Sequence, residues 1–138
     1  MIINGDLATD GSPPRVADYL QFAKLISPPV ERGIATHLTM GNCDRRSLFT
    51  KTLREILPNG TTIGERLVGI LPTMHANFFL LDSLHDTQRT ITKGSLGKAQ
   101  MDWLTRSLHR TMENPAIVVG HHHINGTLGI MRCGRMED

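Results

Sequence analysis

The chain has 138 residues, about the length of one domain, and 39% of them are hydrophobic while 20% are charged, as in a globular protein. Its formal charge is only +2, which gives no electrostatic basis for binding nucleic acid. No apolar run approaches the roughly 20 residues of a membrane-spanning helix, and the polar start is not that of a signal peptide. The two distant cysteines, Cys43 and Cys133, predict a reduced, cytoplasmic protein.

Two strand–helix units are predicted in the first half of the chain. The strands are short apolar runs and the helices carry apolar residues at helical spacing. In chain order, the four elements cover residues 1–4, 12–27, 35–40 and 45–57. Ser12 is predicted to cap the first helix and Pro28 and Pro29 to end it, because proline cannot donate a backbone hydrogen bond. Pro58 is predicted to stop the second helix.

The second half of the chain is predicted to hold three more strands and one more helix. The strands cover residues 66–71, 75–83 and 115–120, the last two of them buried, and the helix covers residues 98–112. A long polar loop is predicted over residues 84–97, and residues 124–138 show no strand or helix period, which predicts a divergent or disordered tail. The alternation of strands and helices predicts an α/β layered fold.

Polar side chains end three of the predicted strands, namely Asp6, Asn42 and His121. Ligands of α/β folds lie outside the carboxyl ends of the strands, and these three groups are ligands for Mn²⁺, Fe²⁺ or Zn²⁺. A pair of such ions about 3.5–4 Å apart polarises a phosphate and activates a bridging hydroxide. Taken singly, each group has a plainer explanation, a turn for the Gly-Asp and Gly-Asn pairs and a surface loop for the histidine triplet. Taken together, they favour a metal site.

The order and spacing of these pieces resemble the calcineurin-like metallophosphoesterases, in particular the branch of class III cyclic-nucleotide and glycerophosphodiester phosphodiesterases. INGDLATDGSPPRVADYLQF matches the Gly-Asp motif of the family, and THLTMGNCDRRSLF matches its Gly-Asn-His-Asp motif. The strand, loop, helix and histidine-containing strand that follow in the family are matched by NFFLLDS, GSLGKAQMDWLTRSL and PAIVVGHHH. The resemblance covers residues 1–123 and implies a partial calcineurin-like phosphoesterase domain with a layered α/β sandwich, followed by the tail at 124–138.

The resemblance implies a site with two divalent metal ions, Mn²⁺, Fe²⁺ or Zn²⁺. Asp6 would bridge the two ions, and Asn42 and His121 would bind the second one. Asp44 would lie behind these ligands and orient them; the plainer reading of Asp44 is an N-cap of the second helix, and both can hold together. Cys43 replaces the family histidine that contacts the phosphate, which predicts slower departure of the leaving group. The alternatives for Cys43 are a soft metal ligand or a small buried residue.

Two family motifs, the opening Asp-x-His and the closing Gly-His-x-His, do not occur at their usual places. The chain is therefore expected to be truncated at both ends, without the first strand motif and the C-terminal strands, and to hold one metal ion. An exposed sheet edge would then offer a surface for homo-oligomerisation. Alternatively, GHHH is itself the Gly-His-x-His motif, and His121 and His123 are the final pair of ligands.

The function that the resemblance implies is metal-dependent phosphoester hydrolysis by in-line attack of an activated hydroxide. A small-molecule phosphodiester is the preferred substrate class, and neither a specific nucleic acid nor a membrane is expected as a partner. The alternative is a non-catalytic remnant of such an enzyme that binds at most one metal ion. A redox protein that uses Cys43 and Cys133 is a third and less supported interpretation.

Overall fold

The fold is described from a computed structural model that covers residues 1–8, 15–53, 61–85, 94–111, 113–123 and 136–137. The elements in these ranges are, in chain order, β1 (Ile2–Asn4), α1 (Val16–Glu31), β2 (His37–Thr39), α2 (Arg46–Thr52), β3 (Thr61–Ile63), β4 (Arg66–Pro72), β5 (Asn77–Leu80), β6 (Gly94–Ser95), α3 (Gly97–Arg110), β7 (Ala116–Val119) and β8 (Met136–Glu137). The predicted α/β fold class is confirmed.

The strands form sheets of different size. β1 and β2 pair in parallel, and a larger sheet has the order β3-β4-β5-β7, in which β5 and β7 are parallel and the other pairs antiparallel. β6 pairs in parallel with β8. The side chain of Asn4 donates to the carbonyl of Gly120 at 3.2 Å, which joins the carboxyl ends of β1 and β7. The loops that follow β1, β2 and β7 therefore meet.

Two hydrophobic clusters form the core. The first packs α1 and α2 against β1 and β2, and in it the rings of Tyr19 and Phe49 make an edge-to-face pair with centroids 6.1 Å apart. The second packs α3 against the larger sheet through Phe79, Leu81 and Leu104. None of the helices in the described ranges is long and apolar enough to cross a membrane.

Helix α1 begins later than predicted. Its N-cap is Arg15, whose backbone N–H donates to the Asp18 carboxylate at 2.7 Å. An acidic side chain in the first turn thus satisfies a backbone donor at the start of the helix. The predicted cap, Ser12, lies outside the described residues.

The predicted end of this helix at Pro28 and Pro29 is also wrong, because α1 continues through both prolines to Glu31. Proline removes a backbone donor, but the hydroxyl of Ser27 donates to the Lys24 carbonyl at 3.1 Å and satisfies the acceptor that Pro28 leaves open. This hydrogen bond offsets part of the cost of placing the two prolines inside the helix.

Strand β7 is present as predicted, but the prediction that it is buried is wrong. Ile117 is 43% exposed and Val118 is 45% exposed. Among the described residues β7 pairs only with β5, so it forms an edge of the larger sheet. Hydrophobicity alone does not distinguish an apolar edge strand from a central one.

Other predicted boundaries differ less. Helix α2 ends at Thr52, and the residues beyond Leu53 that were expected to continue it fall in 54–60, outside the described residues. The predicted polar loop ends in β6, while residues 86–93 also lie outside the described part. The pattern did not indicate β3, because its threonines are exposed and polar. Most of the predicted tail is not described, apart from β8.

Candidate metal centre

The loops after β1, β2 and β7 bring Asp6, Asn42 and His121 together. The Nε2 atom of His121 lies 2.9 Å from Asn42 Oδ1 and 3.4 Å from Asp6 Oδ2. The side chains of His121 and Asp6 are 20% and 33% exposed, so solvent and small solutes reach them. Three residues that are distant in the sequence thus share one small polar site.

The electrostatics of this site call for a positive charge. The Nδ1–H group of His121 donates a hydrogen bond to the backbone carbonyl of Asn4 at 2.9 Å, which fixes the orientation of the ring and keeps the proton on Nδ1. The Nε2 lone pair then faces the oxygens of Asn42 and Asp6, all of them acceptors. Such an arrangement is repulsive unless a second ring proton or a metal cation lies between these atoms. Histidines that bind metals are commonly oriented by a carbonyl in this way.

The donor set fits one divalent cation. Metal–ligand bonds of about 2.0–2.2 Å place neighbouring donor atoms about 3.0–3.4 Å apart. The two separations measured from His121 Nε2, 2.9 and 3.4 Å, agree with that spacing. In the described part of the chain no group of three or more His, Cys, Asp and Glu residues is arranged to hold a metal. The amide oxygen of Asn42 is therefore needed as the third donor.

Glycines allow the loops to approach this closely. Gly5 has a left-handed backbone with φ of +77°, and a Cβ there would lie 2.5 Å from the backbone nitrogen of Gly41 and 2.6 Å from His121 Nδ1. A Cβ on Gly41 would overlap the carboxylate of Asp6. Asp6 itself has φ of 56°, a conformation that Asp and Asn tolerate better than most residues. The glycines of both motifs are thus explained by the contact between the two loops.

Asp44 lies beneath this site and ties its loops together. The carboxylate is fully buried and accepts hydrogen bonds from the backbone N–H groups of Gly41 (2.8 Å), Asp6 (2.9 Å) and Leu7 (3.2 Å) and from the hydroxyl of Tyr19 (3.2 Å). Burial raises the pKa of the Asp44 carboxyl, and these hydrogen bonds oppose the increase. One side chain thereby fixes the backbones that carry two of the candidate ligands.

The alternative reading of Asp44 as a helix N-cap is wrong. The N-cap of α2 is Arg45, and no side chain caps the helix. The backbone N–H of Arg45 donates instead to the Tyr19 hydroxyl at 2.7 Å, so this hydroxyl bridges the start of α2 and the Asp44 carboxylate. Tyr19 lies within the first predicted helix, and no motif of the sequence links it to this site. The signal in the sequence is that a tyrosine at a core position needs a partner for its hydroxyl.

Cys43 lies in the same loop and is half-buried. Its backbone N–H donates to Asp6 Oδ1 at 2.9 Å, and the other carboxylate oxygen of Asp6, Oδ2, faces His121. The side-chain Nδ2 of Asn42 donates to Cys43 Sγ at 3.3 Å and so orients the amide oxygen towards His121. Cys133, the other cysteine of the predicted redox alternative, lies outside the described residues.

The three histidines of the triplet differ in position. His122 is buried, and its Nδ1 lies 2.7 Å from the buried Ser83 hydroxyl, while Gly94 packs so closely that a Cβ there would overlap the His122 ring. Burial lowers the pKa of His122, and the neighbouring His121 lowers it further. His123 is exposed and makes no hydrogen bond to the described residues. The sequence alone does not indicate which ring of the triplet faces inward, so His122 was missed as an anchor of the loop.

A second buried aspartate, Asp82, follows β5 and has a different set of partners. The Nε and Nη2 atoms of Arg46 donate to its two oxygens at 2.9 and 3.0 Å. The backbone N–H groups of Leu67 and Leu84 also donate to its carboxylate, at 3.1 and 3.0 Å. This ion pair joins α2 to the larger sheet and involves none of the candidate ligands.

The family model of the calcineurin-like phosphoesterases matches residues 1–135. The chain belongs to this family. No curated protein matches the chain. Membership indicates a metal-dependent phosphoesterase with divalent metal cofactors, and it agrees with a site built of carboxylate, amide and imidazole donors. The match continues past residue 123 into the segment that was predicted as a tail.

The ligand roles of Asp6, Asn42 and His121 stay predictions, as does the alternative pair of His121 and His123. The Gly-Asp and Gly-Asn motifs were informative because each glycine permits a close loop contact. Tyr19 and His122 were not found as parts of the site, because their roles depend on which buried neighbours the fold supplies.

Proposed function

We propose that the chain hydrolyses small-molecule phosphodiesters in a metal-dependent reaction, as expected for the class III cyclic-nucleotide and glycerophosphodiester branch. The observation that carries this proposal is the convergence of Asp6 and Asn42 oxygens on the Nε2 atom of His121. Family membership supports the hydrolytic class, and the resemblance of the quoted motifs supports the phosphodiester as substrate.

Asp6, Asn42 and His121 would hold a divalent cation, Mn²⁺, Fe²⁺ or Zn²⁺, and Asp6 would be the ligand shared with a second ion. A bound cation supplies Lewis acidity to a phosphoryl oxygen and lowers the pKa of a bound water. The chain itself orients the donors: the Asn4 carbonyl holds the His121 ring, and the Asp44 carboxylate, behind the ligands, holds the backbones of the two loops. The site is partly exposed, which suits a small substrate.

Cys43 occupies the position of the family histidine, and we propose that this substitution slows the departure of the leaving group. A thiol is a poor replacement for an imidazole in contact with a phosphate. Cys43→His should therefore increase kcat by about tenfold or more, since general acids contribute at least that much. A kcat that is unchanged in the metal-loaded variant would contradict this role.

A second candidate function is that of a non-catalytic chain that binds at most one metal ion. The observation that favours it is that the described residues supply one set of three donors and no further group of His, Cys, Asp and Glu. Metal binding without turnover would distinguish this function from the first.

The experiment is hydrolysis of bis(p-nitrophenyl) phosphate by the chain, with and without Mn²⁺, with p-nitrophenyl phosphate as the monoester comparison. Asp6→Asn is the matched control, because asparagine tolerates the left-handed backbone at this position and removes only the charge. We expect Mn²⁺-dependent turnover of the diester that is lost in Asp6→Asn. Turnover equal to that of the control would reject the enzymatic proposal.

Two finer predictions on location and assembly stay proposals. The cytoplasmic location rests on the cysteine content alone. Homo-oligomerisation through an open sheet edge is supported by the exposed apolar side chains of Ile117 and Val118 on the edge strand β7. Light scattering after size exclusion tests it: a dimer that Val118→Lys dissociates supports the proposal, and a monomer at all concentrations rejects it.

A further inference from the structure

We propose that Tyr19 is a positioning residue of the metal centre, whose hydroxyl sets the geometry of the ligand loops through Asp44. The inference rests on the proposed metal site formed by Asp6, Asn42 and His121. It assigns to a helix core residue a role that neither its burial nor its spacing indicates.

The hydroxyl of Tyr19 uses both of its hydrogen-bonding capacities on the Asn42 loop. Its O–H donates to Asp44 Oδ1 at 3.2 Å and its oxygen accepts from the Arg45 backbone N–H at 2.7 Å. The ring is fully buried and packs against Phe49. The ring therefore fills the core, as phenylalanine also would, whereas the hydroxyl acts only on residues 44 and 45.

Asp44 transmits this contact to the candidate ligands. Its carboxylate accepts from the backbone N–H groups of Asp6 and Gly41, and so holds the residue that carries one ligand and the residue that precedes another. The four donors that Asp44 receives are neutral groups, and it is fully buried. A buried carboxylate that is balanced only by neutral donors depends strongly on each of them. Loss of the Tyr19 hydroxyl therefore lets the carboxylate shift.

A shift of Asp44 moves its two loops relative to each other. The donor atoms of Asp6 and His121 already lie at the spacing that a cation requires. The loops are in close contact at Gly5 and Gly41, so a small displacement of one loop changes this spacing. Groups behind metal ligands typically change metal affinity about 10–100-fold when they are removed. The effect of Tyr19 should thus appear in metal affinity, and not only in the stability of the fold.

The test measures Mn²⁺ dissociation constants by isothermal titration of the full chain, for the wild type and Tyr19→Phe. Phe79→Leu is the control, because Phe79 is equally buried but belongs to the second hydrophobic cluster, which includes neither Tyr19 nor a candidate ligand. We expect Mn²⁺ to bind Tyr19→Phe at least about tenfold more weakly. Phe79→Leu should keep the wild-type affinity although it is less stable.

The outcomes separate the inference from the proposed function. A wild type that does not bind Mn²⁺ would overturn the metal site itself. Equal affinity in the wild type and Tyr19→Phe, or an equal loss in Tyr19→Phe and Phe79→Leu, would overturn only the role of Tyr19.

A second measurement needs no variant. Tyr19 is the one tyrosine of the sequence, so its ring signals in a tyrosine-labelled NMR spectrum are unambiguous. Saturation with diamagnetic Zn²⁺ should shift these signals, because the metal site and the hydroxyl share Asp44. Signals that do not move when Zn²⁺ binds would overturn the coupling.

Discussion

Asp44 and Asp82 are both buried aspartates in loops that follow strands, but they are held by different kinds of partner. Asp82 is 1% exposed and forms a two-point ion pair with the Arg46 guanidinium. Asp44 is 0% exposed and accepts hydrogen bonds from three backbone N–H groups and one hydroxyl. The Asp82 carboxylate is thus paired with a charged group. The neutral donors of Asp44 instead belong to loops that carry candidate metal ligands.

We infer from this difference that the role of a buried carboxylate is indicated by its partners and not by its burial. A carboxylate paired with a guanidinium joins two elements of the fold, and the charge of the guanidinium balances its own. The Asp44 region keeps an excess of acceptors, because Asp6, Asn42 and His121 turn their acceptor atoms towards one point above it. We therefore expect the Asp82 region to govern stability and the Asp44 region to govern metal binding.

The largest expected effect is on stability and comes from breaking the ion pair. Arg46→Ala removes the ion-pair partner of the buried Asp82 carboxylate and should lower the free energy of unfolding by about 3–5 kcal/mol. Urea denaturation measures it. A loss below about 1 kcal/mol, the range of surface ion pairs, would show that this pair does not stabilise the fold as its burial implies.

A pair of isosteric variants separates the two aspartates most directly. Asp44→Asn should weaken Mn²⁺ binding about 10–100-fold, because an amide nitrogen then faces backbone donors and the loops shift. Asp82→Asn should leave the Mn²⁺ affinity of the folded protein unchanged while it lowers the urea midpoint. The same loss of affinity in both variants would remove the distinction between the two regions.

The close loop contact is tested by Gly41→Ala, with Gly120→Ala as the matched control. A Cβ on Gly41 overlaps the Asp6 carboxylate, whereas a Cβ on Gly120 meets nothing within 4 Å. Overpacking of this kind costs about 1–3 kcal/mol, and the displaced Asp6 should also weaken Mn²⁺ binding. Thermal unfolding and Mn²⁺ titration measure both effects. Equal unfolding temperatures and equal Mn²⁺ affinities in the two alanine variants would refute the close contact.

The smallest expected effect concerns pH and His37, which lies in strand β2. Burial lowers the pKa of His37, so the unfolded chain binds its proton more readily than the folded chain does. This stability is fully present above the ordinary histidine pKa of about 6.5 and is lost as the pH falls from there towards the folded pKa. His37→Gln should therefore flatten the decrease of the urea midpoint between about pH 8 and about pH 5.5. An unchanged pH profile in His37→Gln would contradict the shift.

The sequence predicted the α/β class and the placement of polar residues at strand ends, because short motifs with glycines have local physical causes. Gly5 and Gly41 mark loops that must approach closely, and such loops carry Asp6 and Asn42. The proximity of His121 to both was expected because ligands of α/β folds lie at the carboxyl ends of the strands, and the structure brings these side chains together.

The features that the sequence did not predict depend on tertiary neighbours. The hydroxyl of Tyr19 finds Asp44 only when α1 packs against the Asn42 loop. The prolines of α1 were expected to end the helix, yet Ser27 supplies a substitute hydrogen bond for one of them. The apolar strand β7 lies at an edge of its sheet, which its composition cannot reveal. The short motifs could thus be predicted from local sequence. The buried side chains that contact the motif loops depend on how the elements pack in the fold.

The central claim is that Asp6, Asn42 and His121 form a cation site, and calorimetric titration of the metal-free chain with Mn²⁺ tests it most directly. The same titration of Asp6→Asn, which keeps the backbone conformation, is the comparison. We predict saturable binding to the wild type that is lost or strongly weakened in Asp6→Asn. Equal binding by both chains, or none by the wild type, would contradict the claim.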